Sequence, residues 1–215
     1  GAPQTLASSV AVQTDATSLA ARQLLSLVDW SAVGDSLPAD LVQAMRAWDA
    51  KMAPDRPEPL VYYAFLRSLV RTLYADELGD RFERVFTDDP ARVLYTLTEA
   101  RQWCDVQGTA AVEDCNHAVR VAFAEAFQLL QGRYGKDWHA WRWGEAHQAY
   151  FRHMLFGFIP GLRDLFDVSV AHGGARNSPN AGYVNFDEAT LFQQFHGAGY
   201  RAVYDLADLN RSRFM

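Results

Sequence analysis

Apolar positions follow a helical period through the first two-thirds of the chain and lose it in the last third. After a small, polar stretch from Gly1 to Gln13, expected to be extended, Leu19, Leu24, Leu25, Leu27 and Val28 predict a helix over 15–30, capped by Thr14 or Asp15. Leu41, Val42, Met45 and Trp48 share one face of a second helix, which starts at Pro38 and runs to about Lys51. Pro54, Pro57 and Pro59 form a rigid connector. The stretch from Leu60 to Tyr74 is apolar nearly all round, as in a buried helix, and a short amphipathic piece covers 76–86. Asp88 or Asp89 then caps a helix with Pro90 in its first turn, running to about Cys104. Val119, Phe123, Ala126, Phe127 and Leu130 stripe what reads as the longest helix, 110–134, and Gly135 stops it.

From Trp138 the pattern shortens. Trp141 and Trp143 share a face only if the segment is a strand, with Gly144 as a kink or bulge. A second apolar run, 155–166, surrounds Pro160-Gly161, and 172–174 and 177–180 are turn material. Tyr200, Ala202, Tyr204 and Leu206 alternate along a predicted strand, a turn follows at Asp208–Asn210, and a further segment starts at Arg211. These patterns predict an α+β protein: a helical segment over 1–135 and a strand-rich part over 136–215. The last segment reaches Met215 without a cap or turn, which reads as a cut end, whether by proteolysis, by truncation or with a neighbouring chain continuing the fold.

Composition narrows the classes. A net charge of −6 without clustered Lys and Arg excludes a nucleic-acid surface. No apolar run reaches the roughly 18 residues a membrane helix needs, so no membrane partner is expected. Cys104 and Cys115 flank a polar loop between two helices; they are either a disulfide or two unrelated thiols. If bonded, the loop contributes roughly 3 kcal/mol in the chain-entropy model and implies an oxidising compartment.

Chemistry-bearing motifs are sparse. Gly197-Ala198-Gly199-Tyr200-Arg201-Ala202 matches a dinucleotide fingerprint on paper, but lacks the preceding buried strand and the later acidic residue. Of the 6 histidines, His147 and His153 are read as bonding backbone, His172 and His196 as isolated, and no metal-ligand spacing occurs. No nucleophile motif is present, and Gly1 has no hydroxyl or thiol with which to act as an N-terminal nucleophile.

Several segments resemble the C-terminal part of the β-chain of penicillin acylases, a family that includes acyl-homoserine-lactone and cephalosporin acylases. They are Trp141 to His147, His153, Gly173-Gly174 with Asn177 and Asn180, Gly197 to Leu206, and Arg211-Ser212. Leu24-Leu25, Trp48-Asp49 and the Trp103-Cys104-Asp105 to Cys115 loop are similar to periplasmic members. The resemblance implies an N-terminal-nucleophile hydrolase with a four-layer αββα sandwich completed by other chains. The expected partners are the remaining α- and β-chain segments of one self-cleaved precursor, together with a small acyl-amide substrate. Such an enzyme attacks an amide with an N-terminal serine whose own α-amino group, with an unperturbed pKa near 8, is the base. It implies a periplasmic or secreted protein, no cofactor in this chain, and at most a structural calcium on the other chains. No catalytic residue carries over to this sequence. His196, Gly197 and Ala198 are the positions expected near the active site, and Ala198 stands where some relatives carry a glutamate that orients a histidine. The alternatives are a stand-alone helical binding module presenting the Trp138–Trp143 cluster and a redox protein using the two cysteines. The family reading further expects the 200–206 strand to pair with another polypeptide.

Overall fold

A computed structural model describes residues 4–85 and 89–214. Gly1, Phe86, Asp88 and Met215, used above, lie outside them. The chain forms two compact units. One is helical and comprises 19–50 and 55–143; the other holds the strands and comprises the residues up to Ser18, Lys51–Pro54 and the chain from Gly144 onward.

In the helical unit, α2 (Leu19–Ser26), α3 (Trp30–Val33), α4 (Ala39–Ala47), α6 (Phe82–Val85) and α7 (Pro90–Thr98) surround the long pair α5 (Glu58–Leu78) and α8 (Cys115–Tyr134). Asp89 caps α7 by accepting from Ala91 N–H at 3.0 Å, and Gly135, at φ +88°, ends α8 as its sequence position predicts. α8 starts at Cys115 rather than 110, because the Asp114 carboxylate accepts from His117 N–H at 2.8 Å; at 20 residues α8 is one turn-fraction shorter than α5, at 21. The predicted helix over 15–30 is broken into α2 and α3, with Asp29 capping the second through Ser31 N–H. Phe65 stacks on Phe123 with centroids 3.9 Å apart, and Trp30 tilts against the same ring at 5.6 Å. Burying each such side chain contributes roughly 1.5–3 kcal/mol.

The alternation predicts a strand through Trp141 and Trp143; the structure has none there. Residues Trp138–Ala140 form a 3-10 turn and Trp143 opens a short helix, α9 (Trp143–Ala146). Trp143 stacks on Tyr63 at 5.1 Å, while Trp141 lies against Phe127 at 5.7 Å and donates its indole N–H to the Gly135 carbonyl at 2.9 Å. A tight turn can point residues two apart at one core just as a strand can. Trp141 and Trp143 are buried and belong to the core, whereas Trp138 is half-buried. Cys104 and Cys115 are joined in a disulfide, both sulfurs buried.

In the other unit, β1 (Gln148–Phe151), β2 (Val168–Ala171), β3 (Gly182–Val184) and β4 (Gln194–Gly197) make a mixed sheet ordered β2-β1-β4-β3. β1 and β2 are antiparallel with Ala149 opposite Val170; β1 and β4 are parallel; β3 and β4 are antiparallel with Gly182 opposite Gly197. The stretch Lys51–Pro54 is threaded into this unit: Met52 N–H donates to Ala16 O, Gly174 N–H to Met52 O at 2.7 Å, and Gly144 N–H to Pro54 O at 2.7 Å. Gly144 is therefore no bulge; a Cβ there would lie 2.8 Å from Pro54 Cβ. The first residues are not extended: α1 (Leu6–Gln13) forms behind a capping box in which Thr5 and Ser8 bond each other's backbone N–H. The apolar run 155–166 becomes a 3-10 turn and one short helix, α10 (Arg163–Phe166).

The strand predicted over 200–206 shrinks to β5 (Ala202–Val203). It pairs along one edge with β6 (Arg213–Phe214) of the same chain. Asp205 accounts for the shortening: its carboxylate accepts from Ala207 and Asp208 N–H and turns the backbone out of the ladder.

Candidate functional site

The residues expected near an active site lie in and just after β4. His196 is exposed and meets Tyr183 edge-on at 5.3 Å; Gly197 sits opposite Gly182; Ala198 lines an open cleft of about 270 Å³ with Gln13, Pro179, Tyr200, Arg201 and Ala202. Arg201 Nη1 donates to Gln13 O at 3.0 Å and Gln13 Nε2 donates to Ala202 O at 3.0 Å, so α1 and β5 are tied together at this cleft. β5 follows Gly197-Ala198-Gly199 directly and no helix opens there, which removes the dinucleotide reading.

The structure also brings together two histidines that lie far apart in sequence. His147 and His172 face each other across the β1–β2 hairpin with ring centroids 6.0 Å apart, and His172 N–H donates to His147 O at 3.1 Å. His172 is thus not isolated. His147 is fully buried at the entrance to β1 and its Nδ1 donates to the Phe192 carbonyl at 2.9 Å. That bond fixes the tautomer, leaving Nε2 as the acceptor. Phe192 itself is buried at φ +68°, a left-handed conformation that few aromatic residues adopt, and its N–H donates to Asn185 O at 2.7 Å. Burial pushes the His147 imidazole down to about 4, the Phe192 carbonyl partly offsets this, and His172 lowers it further. Burial also lowers His172, with the Arg201 guanidinium adding to the shift.

His153 belongs to a different cluster. Its Nδ1 accepts from Leu155 and Phe156 N–H at 3.2 and 3.1 Å, and its ring stacks on Phe156 at 4.7 Å. Asp167 closes the same turn by accepting from His153 N–H and from the Tyr150 hydroxyl. Both histidines of the sequence pair therefore do bond backbone.

Chemically these groups are supports. His147, with its Nδ1–H engaged by the Phe192 carbonyl and its burial favouring the neutral ring, is held in place. Ser178 Oγ accepts from Ala175 N–H at 2.9 Å, and its single O–H lies within reach of the Asn180 and Ala175 carbonyls at 2.9 and 3.1 Å, which pins the 174–182 loop. Among the described residues no free cysteine and no group of three or more His, Cys, Asp or Glu suited to a metal ion occurs. Gln194 and Gly182, which lie beside the histidines, escaped sequence reasoning, whereas Gly197 was singled out.

The described residues make an α+β protein with a mainly helical N-terminal part and a small mixed C-terminal sheet. The sequence profile of the penicillin amidase family matches residues 1–215, and the chain belongs to that family. It is also similar to the acyl-homoserine lactone acylase QuiP of Pseudomonas putida, at 24% identity over 163 aligned residues that cover 65% of this chain and 20% of that protein. The chain thus spans 20% of the length of the curated relative it matches.

Proposed function

We propose that this chain is a non-catalytic portion of an amide hydrolase that removes acyl groups from acyl-homoserine lactones or from β-lactam antibiotics such as penicillins. The family match over the whole chain carries this reading. The reacting group is an N-terminal serine on another chain of the same precursor: its hydroxyl adds to the amide carbonyl, its α-amino group takes the proton, and an oxyanion hole holds the developing charge. This chain supplies scaffold beside that site, with His196, Gly197 and Ala198 on the nearer side.

The surface of the sheet unit supports a partner of the same polypeptide origin. All four residues of β2 are exposed, as are Phe151, Phe158, Leu165 and Phe195, with Met154 at 87% and Leu206 at 89%. Exposed apolar side chains in this number on one unit favour an interaction face. The disulfide is consistent with an extracytoplasmic protein, and we place the enzyme in the periplasm or outside the cell. No helix among the described residues is long and apolar enough to cross a membrane.

The test is to express the full precursor and measure intact masses of the purified particle, then assay acylated amides. A second polypeptide beginning with serine, and amide hydrolysis by the particle but not by this chain alone, is the expected result. Hydrolysis by the isolated chain, or a particle with no serine-initiated chain, sinks the reading.

A further inference from the structure

His153 caps the turn that follows β1 with a ring nitrogen. Its Nδ1 accepts from Leu155 N–H at 3.2 Å and Phe156 N–H at 3.1 Å, and its carbonyl accepts from Gly157 N–H at 3.0 Å. A helical turn leaves such N–H groups without partners at its start, and a Ser, Thr, Asp or Asn oxygen usually satisfies them. Those oxygens keep their lone pairs across the neutral range, whereas an imidazole nitrogen does not. Nδ1 accepts only while unprotonated, so the turn is closed by the neutral ring in its Nε2–H tautomer. A proton on Nδ1 makes it a donor and leaves two backbone donors facing a third.

The surroundings give the protonated ring somewhere to go. Asp167, just after α10, accepts from the His153 backbone N–H at 2.8 Å and from the Tyr150 hydroxyl. The Tyr150 hydroxyl, then the His153 N–H, then the Arg152 and His153 charges hold the Asp167 carboxyl below the usual carboxylate range. It is therefore an ionised acceptor wherever a histidine titrates. The other groups around the ring are committed elsewhere. Phe156 stacks on it at 4.7 Å and Phe166 tilts against it at 5.5 Å. Arg152 lies over the Phe158 ring at 5.2 Å, Arg163 and Asp164 of α10 pair with each other at 3.2 Å, and β2 has no titratable side chain. Gly157 keeps the turn close to the carboxylate: a Cβ there would lie 2.9 Å from Asp167 Oδ1. We propose that His153 is a pH-operated latch, which caps the 153–159 turn when neutral and swings to the Asp167 carboxylate when protonated. Leu155, Phe158 and Ile159, all exposed on this turn, are then held in one arrangement near neutral pH and released in acid.

NMR of the full chain, labelled with 15N in backbone and imidazole and followed without denaturant from about pH 8 to about pH 5, tests this. At the upper end the His153 ring should be the Nε2–H tautomer. As it protonates, the Leu155 and Phe156 amide signals should move with the same midpoint. Their hydrogen-exchange protection, corrected for the intrinsic pH dependence of exchange, should fall roughly two- to tenfold, the span of one net hydrogen bond. His153→Asn keeps a capping oxygen without a titrating nitrogen and should show neither step. His153→Ala should show the low protection at both ends of the range. A neutral ring with its proton on Nδ1 overturns the proposal, as do amide steps that persist in His153→Asn. Steps that spread equally through β1, β2, β3 and β4 also overturn it, because they report loss of the sheet and not release of a turn. None of these outcomes depends on the enzyme class proposed above.

Discussion

The two units treat the same kind of residue in opposite ways. The helical unit encloses most of its large aromatics: Tyr62, Tyr63, Phe65, Phe123, Trp141 and Trp143 are essentially inaccessible, while Tyr95 and Trp103 are exposed. The sheet unit, of comparable apolar content, leaves Phe151, Met154, Leu155, Val168, Val170 and Phe195 in contact with solvent and buries a histidine instead. A helix hides its apolar stripe against one neighbour, and α5 and α8 do this for each other along some twenty residues. A four-stranded sheet has two faces and two edges, and covering all of them needs more layers than this unit contains. The difference teaches that the helical unit buries its large side chains by its own packing, whereas the sheet unit leaves apolar surface that a further layer would bury.

The largest expected effect breaks the helical half. Phe123 lies between Phe65 and Trp30, so Phe123→Ala should remove about 3–5 kcal/mol from the helical unit. Hydrogen exchange resolved by segment should show α5 and α8 losing protection; a loss confined to the strands would contradict the division. The next effect belongs to the other half and depends on pH. An unfolded histidine titrates near 6.5, whereas His147 in the fold titrates at about 4. Between those values the unfolded chain binds a proton that the native one does not. The contribution is complete above pH 6.5 and is lost as pH falls toward 4, by about 3 kcal/mol in all, and lowered His172 acts in the same sense. Urea midpoints followed on the strand segments should fall over that window, and His147→Gln should flatten the profile; an unchanged slope refutes the assignment. Reduction of Cys104–Cys115, or Cys104→Ser with Cys115→Ser, should cost the helical unit about 3 kcal/mol, read as a lower thermal midpoint with the strand segments unaffected.

What was legible in the sequence follows the same division. Asp89-Pro90 and Gly135 act within one turn, so local chemistry sufficed to place the start of α7 and the end of α8. The disulfide was one of two open readings, because spacing alone does not say whether two cysteines face each other. Trp141 and Trp143 misled because alternation has more than one structural cause. The capping box at Thr5 and Ser8 was overlooked because Ser8 replaces the usual acidic or amide residue at that place. The His147–His172 pair was invisible because the turns between β1 and β2 are apolar and mimic a buried element. The partial strand at 202–203 was overestimated from its tyrosines, whose hydroxyls bond each other at the surface.

The smallest effect on the chain itself is the sharpest on the comparison. Met154 and Leu155 follow β1 with 87% and 71% of their surface exposed. Replacing both by serine removes little that is buried, so the stability of the isolated chain should change by no more than about 0.5 kcal/mol per site. If this surface is the seam with the rest of the precursor, each side chain that becomes covered there contributes roughly 1.5–3 kcal/mol to association. The double variant should then bind the separately expressed remainder at least about tenfold more weakly, measured by co-refolding and size-exclusion chromatography. The same polar substitution at Phe123 would unfold its unit outright. Unchanged association would show that the exposed apolar positions of the sheet unit are not the seam. The contrast between the two units would then have to rest on the strand edges alone.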